Sequence, residues 1–151
     1  VTSKWIALDP GGTTGVCFYV PKEIRIKTVE LEPEHYVHLW NILNTLKPEQ
    51  VICERFDYRG HQMSADLTAV EYIGITELYC RLNRVPLEYQ QQLKGHKGLW
   101  TNDKLKTLDL YEPGKPHAMD ALRHMLYFVT INKGDSYWVR RLKDAQERGV
   151  R

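Results

Sequence analysis

With 151 residues, 42% of them hydrophobic and 26% charged, the chain has the balance of one globular domain that can bury a core without disulfide or metal staples. No apolar run reaches membrane-spanning length and no signal-peptide pattern opens the chain, so a cytosolic protein with no membrane partner is expected, in a bacterium or in a cell infected by a phage. The net charge of +2 excludes little, but residues 1–89 hold 9 Lys and Arg against 12 Asp and Glu, and residues 90–151 hold 12 against 7, so the later half suits an anionic partner or a solvated basic surface. The three cysteines are scattered through apolar segments and the six histidines have no zinc-finger spacing, which predicts core thiols of a reducing compartment and no zinc site.

Along the chain, Trp5 to Val20 reads as a buried strand, a glycine-rich turn and a second strand, with Asp9 where the first strand ends. Gly11, Gly12 and Gly15 are expected to allow positive φ and a close backbone approach. Such a carboxylate can hold a metal ion against a phosphate, or simply hydrogen-bond its own turn. Residues 23–31 alternate charged and apolar side chains, which predicts a third strand with one wet face and hence an antiparallel meander. Pro33-Glu34 opens a helix with apolar Tyr36, Leu39, Trp40, Leu43 and Leu46, ending near Pro48. Gln50 to Glu54 is a short apolar strand that also ends in a carboxylate. After a helical crossover it should run parallel to the first strand, so that Asp9 and Glu54 emerge at one sheet edge.

Residues 55–64 read as loop, and Asp66 to Asn83 as a helix with Gly74 in its middle. That glycine costs roughly 1 kcal/mol against alanine, which suggests the close approach of another helix. Val85 to Tyr89 is a fifth strand, followed by a polar stretch, a helix near Asn102 to Leu110, and a strong helix over His117 to Val129 behind Gly114 and Pro116. The order predicts an α/β fold with a mixed five-stranded sheet, three antiparallel strands followed by parallel ones, flanked by helices. Residues 1–132 form the expected domain and 133–151 a basic C-terminal extension with amphipathic helical character.

The last strong helix brings the third acidic element. His117 and Asp120 are three apart and so neighbours on its first turn, and Asp120 shares a face with His124. Each of these groups could merely cap the helix. Together with Asp9 and Glu54, however, they would crowd one sheet edge with carboxylates that repel one another. Divalent cations remove that repulsion and supply machinery for phosphodiester cleavage.

The order of strand-Asp-Pro-Gly-x-x-x-Gly, strand-Glu and His-Ala-x-Asp-Ala-Leu at a helix start resembles the RuvC family of Holliday junction resolvases, of the RNase H-like superfamily, over about Lys4 to Val129. The resemblance implies an RNase H-like fold and two Mg²⁺ (or Mn²⁺) ions held by Asp9, Glu54, His117 and Asp120. It also implies a homodimer that nicks four-way junctions and other branched DNA. The run from Glu88 to Lys94 looks like the family's strand leading to a DNA-binding lysine, and Lys104 sits where a second is expected. Arg55, Phe56, Tyr58 and Arg59 complete the expected DNA contacts. The family's junction-inserting aromatic falls in register on Asp57, between Phe56 and Tyr58.

Three other classes remain open on the same residues. Asp-x-Gly-Gly-Thr also resembles the phosphate loop of actin-like ATPases and sugar kinases, but 151 residues cannot supply the two clasping domains those proteins use. A non-catalytic DNA-binding module would not need all four acid and histidine positions. An RNase H-type or flap nuclease of broader specificity would use the same centre.

Overall fold

In a computed structural model, residues 2–56, 67–92 and 98–149 of the chain are described. Strands β1 (Trp5–Asp9), β2 (Thr14–Val20), β3 (Arg25–Leu31), β4 (Gln50–Glu54) and β5 (Leu87–Gln90) form one mixed sheet in the order β3-β2-β1-β4-β5. β1 pairs antiparallel with β2 and β2 with β3, whereas β1 with β4 and β4 with β5 are parallel. The helices are α1 (Tyr36–Leu46), α2 (Thr68–Asn83), α3 (Asn102–Thr107), α4 (Pro116–Tyr127) and α5 (Tyr137–Gly149). No helix of the described residues is long and apolar enough to cross a membrane.

The strand alternation divides the core into two layers. Ile6, Leu8, Val16, Leu31, Val51 and Cys53 face one side, where Leu39 and Leu43 of α1 and Tyr72 and Tyr79 of α2 cover them. Ala7, Cys17, Tyr19 and Ile52 face the other side, under Ala118, Ala121, Leu122 and Met125 of α4. Small side chains on both α4 and the central strands let the helix lie close to the sheet. Trp138 and Leu142 of α5 are buried in this second cluster, so the basic C-terminal segment packs into the same core as α4.

The element boundaries shift where local backbone chemistry wins over periodicity. Pro21–Glu23 forms a 3₁₀ turn, so β3 starts at Arg25 and not at Glu23. α1 starts at Tyr36, two residues after the positive φ of Glu34, and α3 stops at Thr107 short of Asp109 (φ 57°). β5 begins after Pro86, whose carbonyl still accepts from Val51 N at 3.0 Å, and it runs on to Gln90. α4 continues past Tyr127 into a π-helical turn over Phe128–Asn132. The positive-φ glycines among the described residues are Gly114 and Gly134, not those of the first turn, where the gain from glycine is space. All three cysteines are free and buried, and burial pushes their thiols up, Cys80 to about 11.

Candidate active site

Strand register places the polar residues of the site in one row across the sheet. Glu30 of β3 pairs with Gly15 of β2, and Gly15 with Asp9 of β1. Leu8 pairs with Cys53, so Asp9 and Glu54 are the next residues out on parallel strands, and Glu54 in turn pairs with Gln90. Their neighbours Leu8, Val16, Leu31, Cys53 and Tyr89 point into the layer of α1 and α2. Alternation therefore turns all five row residues toward α4.

α4 can land on this row because Gly15 has no side chain. A Cβ there would lie 1.9 Å from the His117 carbonyl oxygen and 2.2 Å from its carbon. The helix starts with Pro116 at its first position, where a missing N–H costs nothing. Its next free donors, His117 N and Ala118 N, give hydrogen bonds of 2.9 and 3.1 Å to Glu30 Oε1. A carboxylate from an edge strand thus caps the helix and meets the positive end of its dipole. This fixes the first turn and brings His117 Nδ1 to 3.2 Å from Asp9 Oδ2. Asp9 is 7% exposed, whereas the His117 side chain is 42% exposed and forms the solvent side of the pair.

One turn beyond Asp120, the fully buried His124 reaches down to the other end of the row. Its Nε2 lies 2.8 Å from Glu54 Oε2 and its Nδ1 2.7 Å from Gln90 Oε1. Asp9, Glu54 and His124 offer donor atoms that all lie within 4.8 Å of one another, the spacing of ligands around a cation. Burial pushes the Cys53 thiol up, and the carboxylates of Glu54 and Asp9 push it further, an indication of how much negative charge this strand end carries.

Asp120 is not a member of that set. Its Oδ1 accepts from Arg123 Nη1 at 2.7 Å, and Arg123 Nε donates to the Trp100 carbonyl at 2.7 Å while Nη2 donates to Asn102. Asp120 and Arg123 line a cavity of about 310 Å³ with Asn102, Tyr111, Glu112 and Lys115. Of the four expected ligands, then, Asp9 and Glu54 meet at the ends of β1 and β4, with His124 as the third donor of that group, while His117 touches Asp9 and Asp120 faces Arg123.

The expected DNA contacts are more dispersed. Arg55 follows β4 directly, exposed, with its backbone N–H donating to Gln90 O at 2.6 Å, and Phe56 comes next, half-buried. Lys104 on α3 turns its ammonium onto the carbonyls of Leu99 (2.8 Å) and Gly98 (3.3 Å), which holds the loop ahead of the helix. Asp57, Tyr58, Arg59 and Lys94 lie outside the described residues. The roles of Glu30, Gln90, Arg123 and His124 are absent from the expectation. Only His124 left a trace in the sequence, as the histidine sharing a helical face with Asp120.

No protein-family model matches the chain, and comparison with curated protein sequences finds no match. Solved structures do match. RuvC of Thermus thermophilus in complex with a Holliday junction substrate superposes with a TM-score of 0.64 at 15% identity, covering 89% of this chain and 97% of that one. A second Thermus thermophilus RuvC structure gives 0.60 at 16% identity, over 87% and 96%. The fowlpox virus Holliday junction resolvase gives 0.51 at 11% identity, over 83% and 97%. The mixed sheet, its helical layers and the helix laid across the strand ends are therefore the fold of the RuvC and poxvirus Holliday junction resolvases.

Proposed function

We propose that the chain is a metal-dependent, structure-selective DNA endonuclease that nicks four-way junctions and other branched DNA. The observation that carries this reading is the row of Asp9 and Glu54 at adjacent parallel strand ends, with His117 against Asp9 and His124 against Glu54. Fold likeness to junction resolvases supports the substrate class. The oxygen-rich donor set suits a hard divalent cation, Mg²⁺ or Mn²⁺, and Asp9, Glu54, His117 and Asp120 would hold two such ions. When bound, the cations supply the Lewis acidity that makes water nucleophilic and neutralises charge on the departing oxygen. The protein's own part is to fix the carboxylates on rigid strands and to hold His117 against Asp9 through the Glu30 cap. It also lines the approach to Asp120 with Arg123, which is buried and holds the Asp120 carboxylate, and with the half-exposed Lys115, which can meet phosphate oxygens. Arg55, Lys104 and, outside the described residues, Arg59 and Lys94 complete the proposed DNA surface, holding phosphates without reading bases, with Phe56 and Tyr58 as the aromatics beside them.

Two nicks across a four-way junction require two centres, so we place the chain in a homodimer. α2 offers a surface for it: Leu67, Val70, Leu78 and Leu82 are all exposed, with Gly74 in the middle of their stripe and nothing within 4 Å of the position its Cβ would take.

Asp9→Asn, Glu54→Gln and Asp120→Asn should each lower cleavage of a labelled four-way junction by at least about a hundredfold, a loss of roughly 2.7 kcal/mol or more of transition-state stabilisation, with gel-shift affinity nearly unchanged. Near-normal cutting by Asp9→Asn in Mg²⁺ or Mn²⁺ would falsify the metal centre. Equal cutting of four-way, flap and RNA–DNA hybrid substrates by the wild type would replace junction resolution with a broader nuclease.

A further inference from the structure

We propose that His124 is a positioning residue, whose imidazole holds the Glu54 carboxylate in the orientation from which it shares a cation with Asp9. The inference rests on the reading of Asp9 and Glu54 as cation-holding groups. Glu54 ends its strand on a side chain with three rotatable bonds, so its carboxylate needs an external anchor to keep one geometry. His124 supplies it from α4, with Nε2 at 2.8 Å from Oε2 and the ring completely buried. A ring enclosed in this way cannot swing, and the oxygen it does not bind is the one left to a cation.

The other ring nitrogen is tied to β5. A carboxylate can only accept, so Nε2 carries the hydrogen of the Glu54 contact. Nδ1 faces Gln90 Oε1 at 2.7 Å, while Gln90 Nε2 is buried with no partner among the described residues. The oxygen and nitrogen of an amide are interchangeable by a half-turn. With that half-turn the Gln90 nitrogen donates to Nδ1, and the buried donor is no longer orphaned. One directed chain then runs from Gln90 through His124 to Glu54, and it ties β5, α4 and β4 together at the edge where the cation would sit. A histidine that only fills the core needs no such alignment with a carboxylate whose donor atom lies within 4.8 Å of Asp9's. Partners that orient ligands from behind in this manner typically change metal affinity 10- to 100-fold when removed.

The test is Mn²⁺ binding by the whole chain without DNA, measured by calorimetry and electron paramagnetic resonance, for wild type, His124→Leu and His124→Gln. Glutamine keeps an N–H donor in reach of Glu54, and leucine does not. Binding by His124→Leu should weaken about 10- to 100-fold, and His124→Gln should stay close to wild type. Wild-type affinity in His124→Leu overturns the inference and leaves a core histidine. Equal loss in both variants, together with a nitrogen coupling to Mn²⁺ that both abolish, overturns it in favour of His124 as a ligand. Should His124→Leu fail to fold, Gln90→Leu removes the ring's second anchor and must also weaken Mn²⁺ binding; unchanged affinity there overturns the inference. Junction cleavage by the wild type is scored separately. A wild type that binds Mn²⁺ but cuts nothing removes the nuclease reading while the affinities still decide on His124. A wild type that cuts while His124→Leu binds normally does the reverse, and a wild type that binds no Mn²⁺ overturns both.

Discussion

Glu112 joins two parts of the site wall that are far apart in sequence. Its carboxylate accepts from Lys115 Nζ at 2.6 Å, just ahead of α4, and from the Thr28 hydroxyl on β3. These two bonds, Lys115's first, hold its carboxyl below the usual 4.5 against the opposing effect of burial. A carboxyl lowered in the folded state favours folding when it is ionised. Its contribution is therefore present above about pH 4.5 and is lost as pH falls through the folded value. Glu112→Gln should melt below wild type at neutral pH by a modest margin, because both partners are nearly half-exposed and solvent screens the pair. The margin should close on acidification. Melting curves from pH 7 to pH 3 that keep a constant gap would show that Glu112 acts through shape and not through charge.

Two glycines separate the demands of packing from those of assembly at the level of elements. Gly15 lies under the first turn of α4, and the atoms that meet its missing side chain are backbone atoms of His117, which cannot rotate away. Gly15→Ala should destabilise the fold by about 3 kcal/mol, toward the upper end for overpacking. It should also depress cleavage beyond what stability explains, since lifting α4 carries His117 away from Asp9. Denaturant titration checks the first effect, and cleavage by the folded fraction checks the second. A Gly15→Ala protein as stable as wild type would mean that α4 does not rest on β2 in this way. Gly74→Ala meets open space in a helix interior and should instead stabilise by up to roughly 1 kcal/mol.

For the whole molecule, the α2 stripe is an apolar surface that the described residues leave exposed. Four exposed aliphatic side chains on one helical face exceed what scattered surface residues supply. Leu78→Arg with Leu82→Arg should shift the protein from dimer to monomer in sedimentation without lowering its folding stability, because neither side chain supports the core. The same double variant should nick one strand of a four-way junction without a coupled second cut. A wild type that sediments as a monomer while still cutting both strands in concert would remove α2 as the interface.

The antiparallel meander, the helical crossover and the parallel fourth strand were legible in the sequence, because the alternation of the third strand, the glycine turn and helix spacing are local signals that burial enforces directly. Those signals also placed Asp9 and Glu54 at one sheet edge, since two parallel strands joined by a helical crossover must end on the same side. Other features were decided by contacts between residues 21 to 108 positions apart, which no short window of sequence displays. The Glu30 cap on α4 depends on the register of β3 with β2, and the His117 contact to Asp9 depends on that cap and on the space above Gly15. The turn toward Arg123 taken by Asp120 depends on the loop around Trp100 and Asn102. Gln90 opened the polar stretch after the expected fifth strand and became the end of β5, and from there it reaches His124. The sequence by itself determined which strand ends carry charge. The tertiary structure decided which histidine faces which carboxylate, because a side chain's partner is set by how a helix lies on a sheet and not by its neighbours along the chain.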